Sequence, residues 1–158
     1  MRIIGPDLYG QYSFILSQCN LIVALGFGWL NQAKLRYYSI DCINKNYYYN
    51  QRKALCYSLI FCLLFLTITV FFQSLSNKLW LVSIIIIAAM GCFNYLKTFY
   101  QAKLLPDRII LLTAVQSLFA LVLPIAIMYF FGYNEISLLF GISFSFMLAI
   151  IILPKAEI

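Results

Sequence analysis

The sequence contains no histidine. That removes imidazole acid–base chemistry and makes zinc and haem sites unexpected, since histidine is the commonest ligand to both. Charge is scarce: 10% of the 158 residues are charged, where a soluble domain carries about 25%. Only five are acidic, Asp7, Asp41, Asp107, Glu135 and Glu157. They are dispersed and lie outside the apolar segments, with no paired carboxylates and no D-x-D. A phosphate-cradling glycine loop and a nucleophile elbow are likewise missing, so an enzyme is not expected. The five cysteines, Cys19, Cys42, Cys56, Cys62 and Cys92, form no C-x-x-C pair and read as small apolar thiols. The first residues include Arg2, Pro6 and Asp7 in place of the apolar run of a secretory signal.

What the chain does have is hydrophobicity. Apolar residues make up 64% and the mean hydropathy is +0.91, too much for a core of this size to hide from water. Five apolar runs, at 12–30, 54–72, 79–96, 109–131 and 136–153, reach the roughly 17–25 helical residues that cross a bilayer. The runs are continuous rather than alternating, which favours helices over a membrane barrel. The expected fold is all-α: one polytopic transmembrane helical bundle of about five spans over 1–158.

Charge position sets the expected topology. Nine of the positive residues (Lys34, Arg36, Lys45, Arg52, Lys53, Lys97, Lys103, Arg108 and Lys155) fall on one side, and two (Arg2 and Lys78) on the other. The positive-inside rule puts the richer side in the cytoplasm, hence the N-terminus outside and the C-terminus inside. Trp29 and Trp80 stand at opposite interfaces, and Tyr37, Tyr38, Tyr47, Tyr48 and Tyr49 crowd the first basic connector, 31–53. The net charge of +6 thus reflects topology, and nucleic acid is not an expected partner.

Several spans carry polar or small residues at helical spacing. The first has Ser13, Ser17, Asn20, Ala24 and Gly28 on one face. The third has Ser83, Gly91 and Asn94. The fourth has Thr113, Gln116, Ser117, Ala120 and Pro124, with Pro124 expected to kink the helix or free a carbonyl. The fifth has Ser137, Gly141, Ser145 and Ala149, a small-xxx-small pattern. Such stripes commonly pack helix on helix. The alternative is a water-filled cavity lined by Asn20, Asn94 and Gln116, with Gln18 beside Asn20, because amides at membrane depth need a partner or water. Lys34, Arg36, Lys97 and Lys103 lie near the cytoplasmic ends. There they snorkel and fix topology, or hold an anionic headgroup such as a pyrophosphate.

The segment Ile4-Gly5-Pro6-Asp7-Leu8-Tyr9-Gly10-Gln11-Tyr12 reads as a turn feeding an apolar helix. That helix closes on Gly26-Phe27-Gly28-Trp29-Leu30-Asn31-Gln32-Ala33-Lys34-Leu35-Arg36-Tyr37. These two stretches resemble the polysaccharide-export flippases, which move O-antigen or capsular repeat units and belong to the multidrug/oligosaccharidyl-lipid/polysaccharide exporter superfamily. Tyr100-Gln101-Ala102-Lys103 is a weaker echo. The resemblance implies helices two to six of the first lobe of a larger transporter. It thus implies a chain lacking the first helix and the second lobe, so that independent transport is in doubt.

It also implies a turn built on Gly5, Pro6, Tyr9 and Gly10, a bacterial inner-membrane location and no cofactor. The implied cargo is an undecaprenyl-pyrophosphate-linked oligosaccharide, and the other implied partners are the bilayer and further polysaccharide-assembly proteins. Asn20, Asn94 and Gln116 are then cavity residues, and Lys34, Arg36 and Lys97 headgroup contacts. The alternatives are a drug/cation antiporter of the same superfamily, a membrane glycan polymerase or glycosyltransferase, and a structural membrane subunit.

Overall fold

The computed structural model describes residues 5–41, 47–73, 77–132 and 134–152. Arg2, Ile4, Cys42, Lys45, Leu153, Lys155 and Glu157 therefore lie outside the described residues. Five helices account for nearly all of them: α1 (Pro6–Asp41), α2 (Tyr47–Gln73), α3 (Asn77–Ala102), α4 (Pro106–Phe131) and α5 (Glu135–Ile152). There is no strand among the described residues. Each helix is long and apolar enough to cross a membrane, the make-up of a multi-pass membrane protein. Lipid offers the backbone no hydrogen-bond partner, and a helix satisfies its own groups.

The helices run past the apolar runs at several ends. Most of the connector expected at 31–53 is helical, because α1 continues to Asp41 and α2 begins at Tyr47. The turn expected at Gly5, Pro6, Tyr9 and Gly10 is also corrected. Pro6 opens α1, Asp7 lies in its first turn, and the Tyr9 amide already donates to the Gly5 carbonyl at 3.2 Å. Proline at the first helical position loses no bond it could have made, and an acid there complements the helix dipole.

Between α3 and α4 the chain reverses through Leu104, in the left-handed region at φ 54°. The Leu104 amide donates to the Gln101 carbonyl and the Leu105 amide to the Tyr100 carbonyl. This pair of bonds is a Schellman closure with leucine where glycine is usual, and Pro106 starts α4 directly after it.

Helix α3 touches all four others and is the centre of the bundle. Its neighbour α1 runs parallel to it: Phe27 of α1 meets Gly91, where an added Cβ would stand 2.5 Å from the Phe27 ring. Further along both helices, Lys34 meets Tyr95. Helix α2 runs antiparallel to α1 along a seam where the Cys62 thiol donates to the Ile22 carbonyl at 3.6 Å and Gly26 faces Cys62 and Ser58. The main core gathers Ile15, Cys19, Ile22, Phe27, Ile86 and Leu139. A second one, nearer the α3–α4 turn, is built on Phe93, Phe99, Tyr100, Leu112 and Ala149. Helices α2 and α4 are peripheral, and large side chains such as Tyr57, Leu64, Phe71, Leu118, Leu121 and Ile125 face outward, as lipid-facing residues should.

The most extensive pairing is α4 with α5. Ser137, Gly141, Ser145 and Ala149 are all buried, so the small-xxx-small stripe packs as expected. Its partner is Pro124: a Cβ on Gly141 would stand 2.5 Å from the Pro124 Cα and 2.7 Å from its nitrogen. Proline removes the amide that would bond the Ala120 carbonyl, and α4 runs through it as one helix. The absence of a side chain at Gly141 is what lets this altered stretch of backbone approach. Gly141→Leu therefore pushes α4 from α5 and lowers stability by about 1–3 kcal/mol. Gly28→Ala, built into open space in the interior of α1, does not lower the unfolding midpoint in detergent.

Candidate functional site

Most hydroxyls with a bond at membrane depth are satisfied within their own helix, while the buried Ser58 Oγ has no partner among the described residues. Ser83 donates to Leu79 O at 2.8 Å, Thr113 to Ile109 O at 2.8 Å, Ser117 to Thr113 O at 2.8 Å and Ser143 to Leu139 O at 2.7 Å. Each is a bond back to the preceding turn of the same helix. A hydroxyl bonded in this way can face either protein or lipid.

An amide is bulkier and has more to satisfy, and this is where α1 differs from α5. At 3.6 residues per turn, the surface of α1 divides into three strips. Ile15, Cys19, Ile22, Val23, Phe27 and Leu30 are buried. Phe14, Leu21 and Leu25, each more than half exposed, form an apolar strip suited to lipid. Between them run Ser13, Ser17, Asn20, Ala24 and Gly28, with Ser17, Asn20 and Ala24 exposed and Ser13 and Gly28 half-buried. The other four helices leave Asn20 and Ala24 of this strip exposed, while Ser17 borders a groove shared with α2. The Asn20 side chain makes no hydrogen bond to a described residue. Further along the same face the buried Oδ1 of Asn31 has no partner among the described residues.

The three amides named from sequence do not converge. Asn20 is exposed on α1, while Asn94 on α3 and Gln116 on α4 are half-buried. Helices α1 and α4 make no contact, so Gln116 lies apart from the α1 strip. Gln18, half-buried, borders a groove between α1 and α2 together with Phe14, Ser17, Leu21, Phe65 and Thr69.

The cations also separate. Arg36 is exposed, 5.6 Å above the Tyr37 ring, and Lys97 is half-buried on α3. Lys34 does not snorkel, which corrects the expectation from sequence. It is 1% exposed, because α1 continues about two turns beyond it and α3 lies across it. Its Nζ sits 3.1 Å from the centroid of the Tyr95 ring and 5.0 Å from that of Phe99. It also donates a long bond, 3.5 Å, to the Tyr95 carbonyl. Tyr38 packs edge-on against Phe99 at 6.0 Å, and Lys103 approaches the same ring at 4.5 Å.

Among the described residues no carboxylate pairs with Lys34, and its ε-amino group is held by the two ring faces and one carbonyl. Sequence reading missed Tyr95 and Phe99. Their spacing of four puts both on one face of α3, but nothing in the sequence pairs that face with Lys34. Among the described residues there is no cluster of metal-ligating side chains.

No family model, no curated protein and no solved structure matches the chain. The geometry therefore stands alone: an uncovered polar strip on α1, and an aromatic cage around a buried lysine at the end of the bundle that also carries Arg36 and Lys97.

The cage makes a specific energetic prediction. Tyr95→Leu removes the main support of a buried charge and lowers stability by about 2 kcal/mol. Combined with Lys34→Met, which removes the charge and keeps an apolar stem, the same substitution has a much smaller effect. A double-mutant cycle on thermal unfolding in detergent measures the coupling.

Proposed function

We propose that this bundle is part of a polysaccharide flippase and handles a lipid-linked oligosaccharide. The observation that carries this reading is the uncovered polar strip of α1. The serine- and glycine-bearing stripe of α5 is buried within the bundle, with Gly141 against Pro124 of α4. The strip with Asn20 remains open, beside an apolar strip that suits lipid. An amide facing hydrocarbon is unfavourable by a few kcal/mol, so the strip belongs against water or polar cargo. A carrier that brings a hydrated glycan past the bilayer core needs such a surface. The motif over residues 4–37 supports the same reading.

In this account Asn20 lines the polar path, together with further helices of the transporter on the far side. Arg36 and Lys97 meet the pyrophosphate of an undecaprenyl-pyrophosphate carrier. Lys34 is withdrawn from that role, since its ammonium is enclosed by Tyr95 and Phe99. Lys34, Arg36, Arg52, Lys53, Lys97, Lys103 and Arg108 gather at one end of the bundle, with Lys78 at the other, which supports a cytoplasmic placement of the basic end. The membrane would be the bacterial inner membrane, and other polysaccharide-assembly proteins the neighbours. A drug/cation antiporter is less well supported, because the one buried charge among the described span residues is a lysine.

Deleting the gene in its host should abolish surface polysaccharide. Wild-type sequence supplied in trans should restore it. Asn20→Leu and Arg36→Ala should each restore it at least tenfold less well at equal membrane abundance. Surface polysaccharide that survives the deletion contradicts the reading.

A further inference from the structure

We propose that the groove between the start of α3, the end of α4 and the first half of α5 is a binding site for one acyl chain of an anionic phospholipid, with Lys78 holding the lipid phosphate. The groove has a volume of about 470 Å³ and is lined by Lys78, Phe131, Asn134, Phe140 and Phe144, among others. Its polar groups and its apolar groups are segregated along its length. Lys78 is in the first turn of α3 and Asn134 immediately precedes α5, so both sit where the helices end and headgroups begin. Beyond them the walls are aromatic and aliphatic. Glu135, the nearest carboxylate in sequence, does not line the groove.

Two magnitudes identify the occupant. Phe144 lies ten residues beyond Asn134, which is roughly 15 Å along a helix. That is half of the approximately 30 Å hydrocarbon core, the depth of one leaflet. A volume of about 470 Å³ drawn out over roughly 15 Å is a narrow, elongated slot. A narrow apolar slot of this length matches a single hydrocarbon chain. Ile136, Phe140 and Phe144 recur every four residues and present one continuous face to that chain. At the mouth the Lys78 ammonium is matched to a phosphate with net negative charge, and the Asn134 amide adds a neutral donor. The site lies at the end of the bundle opposite the Lys34 cage and is independent of any transported cargo.

Native mass spectrometry of the full chain, released from nanodiscs of phosphatidylcholine containing phosphatidylglycerol, tests the assignment. Wild type should retain phosphatidylglycerol in preference to phosphatidylcholine. Lys78→Gln should reduce that preference about fivefold, Lys78→Arg should keep it, and Lys53→Gln at the basic end should leave it unchanged. Ile127→Trp, which fills the groove from α4, should reduce retention of both lipids. Absence of any preference in wild type overturns the proposal, as does an unchanged preference in Lys78→Gln. Equal loss in Lys53→Gln, or a protein dimer in place of bound lipid, also overturns it.

Discussion

Hydrocarbon supplies no hydrogen bonds, and every level of this structure answers that constraint. The backbone satisfies itself in five long helices. Many serine and threonine hydroxyls, Ser83, Thr113, Ser117 and Ser143 among them, bond back to the turn before them, whereas the buried Ser58 hydroxyl has no partner among the described residues. What cannot be satisfied inside a single helix has to find another solution, and those few groups mark the informative places: the Lys34 ammonium, the Asn20 amide and the carbonyl freed by Pro124.

The three solutions differ. Lys34 is enclosed by Tyr95 and Phe99, so a charge that would be unfavourable in lipid becomes a clamp between α1 and α3. Pro124 is buried against Gly141, where close packing shields the interrupted ladder from hydrocarbon. Asn20 has neither device. It stands on a strip that the other helices leave open, while packing consumes the equivalent strip on α5. The contrast between α1 and α5 gives the functional reading its physical content, because two stripes of similar composition meet different environments.

Much of the fold was legible in the sequence. Length and continuity of the apolar runs gave five helices, since both follow from bilayer thickness. The helix ends were not legible in the same way. An apolar window registers only the part of a helix at membrane depth, whereas α1 continues through Asn31, Lys34 and Arg36 to Asp41 on the strength of ordinary helix formers. The motif around Pro6 has the composition of a turn, although proline followed by an acid fits a helix start equally well. The α5 stripe could be read as a packing face, but its partner Pro124 could not, because sequence spacing orders residues around one helix and says nothing of which helix lies opposite. The same limit hid Tyr95 and Phe99 from Lys34, and made three amides look like one cavity when α4 never reaches α1.

The central claim is that the Asn20 strip of α1 faces water or polar cargo while its neighbouring strip faces lipid. Single cysteines placed along α1 test it most directly, in a background with Cys19, Cys42, Cys56, Cys62 and Cys92 replaced by alanine and the protein in native membranes. The account predicts reaction with a small water-soluble maleimide at positions 13, 20 and 24, and protection at 21 and 25. Protection at position 20 equal to that at 21 would contradict it.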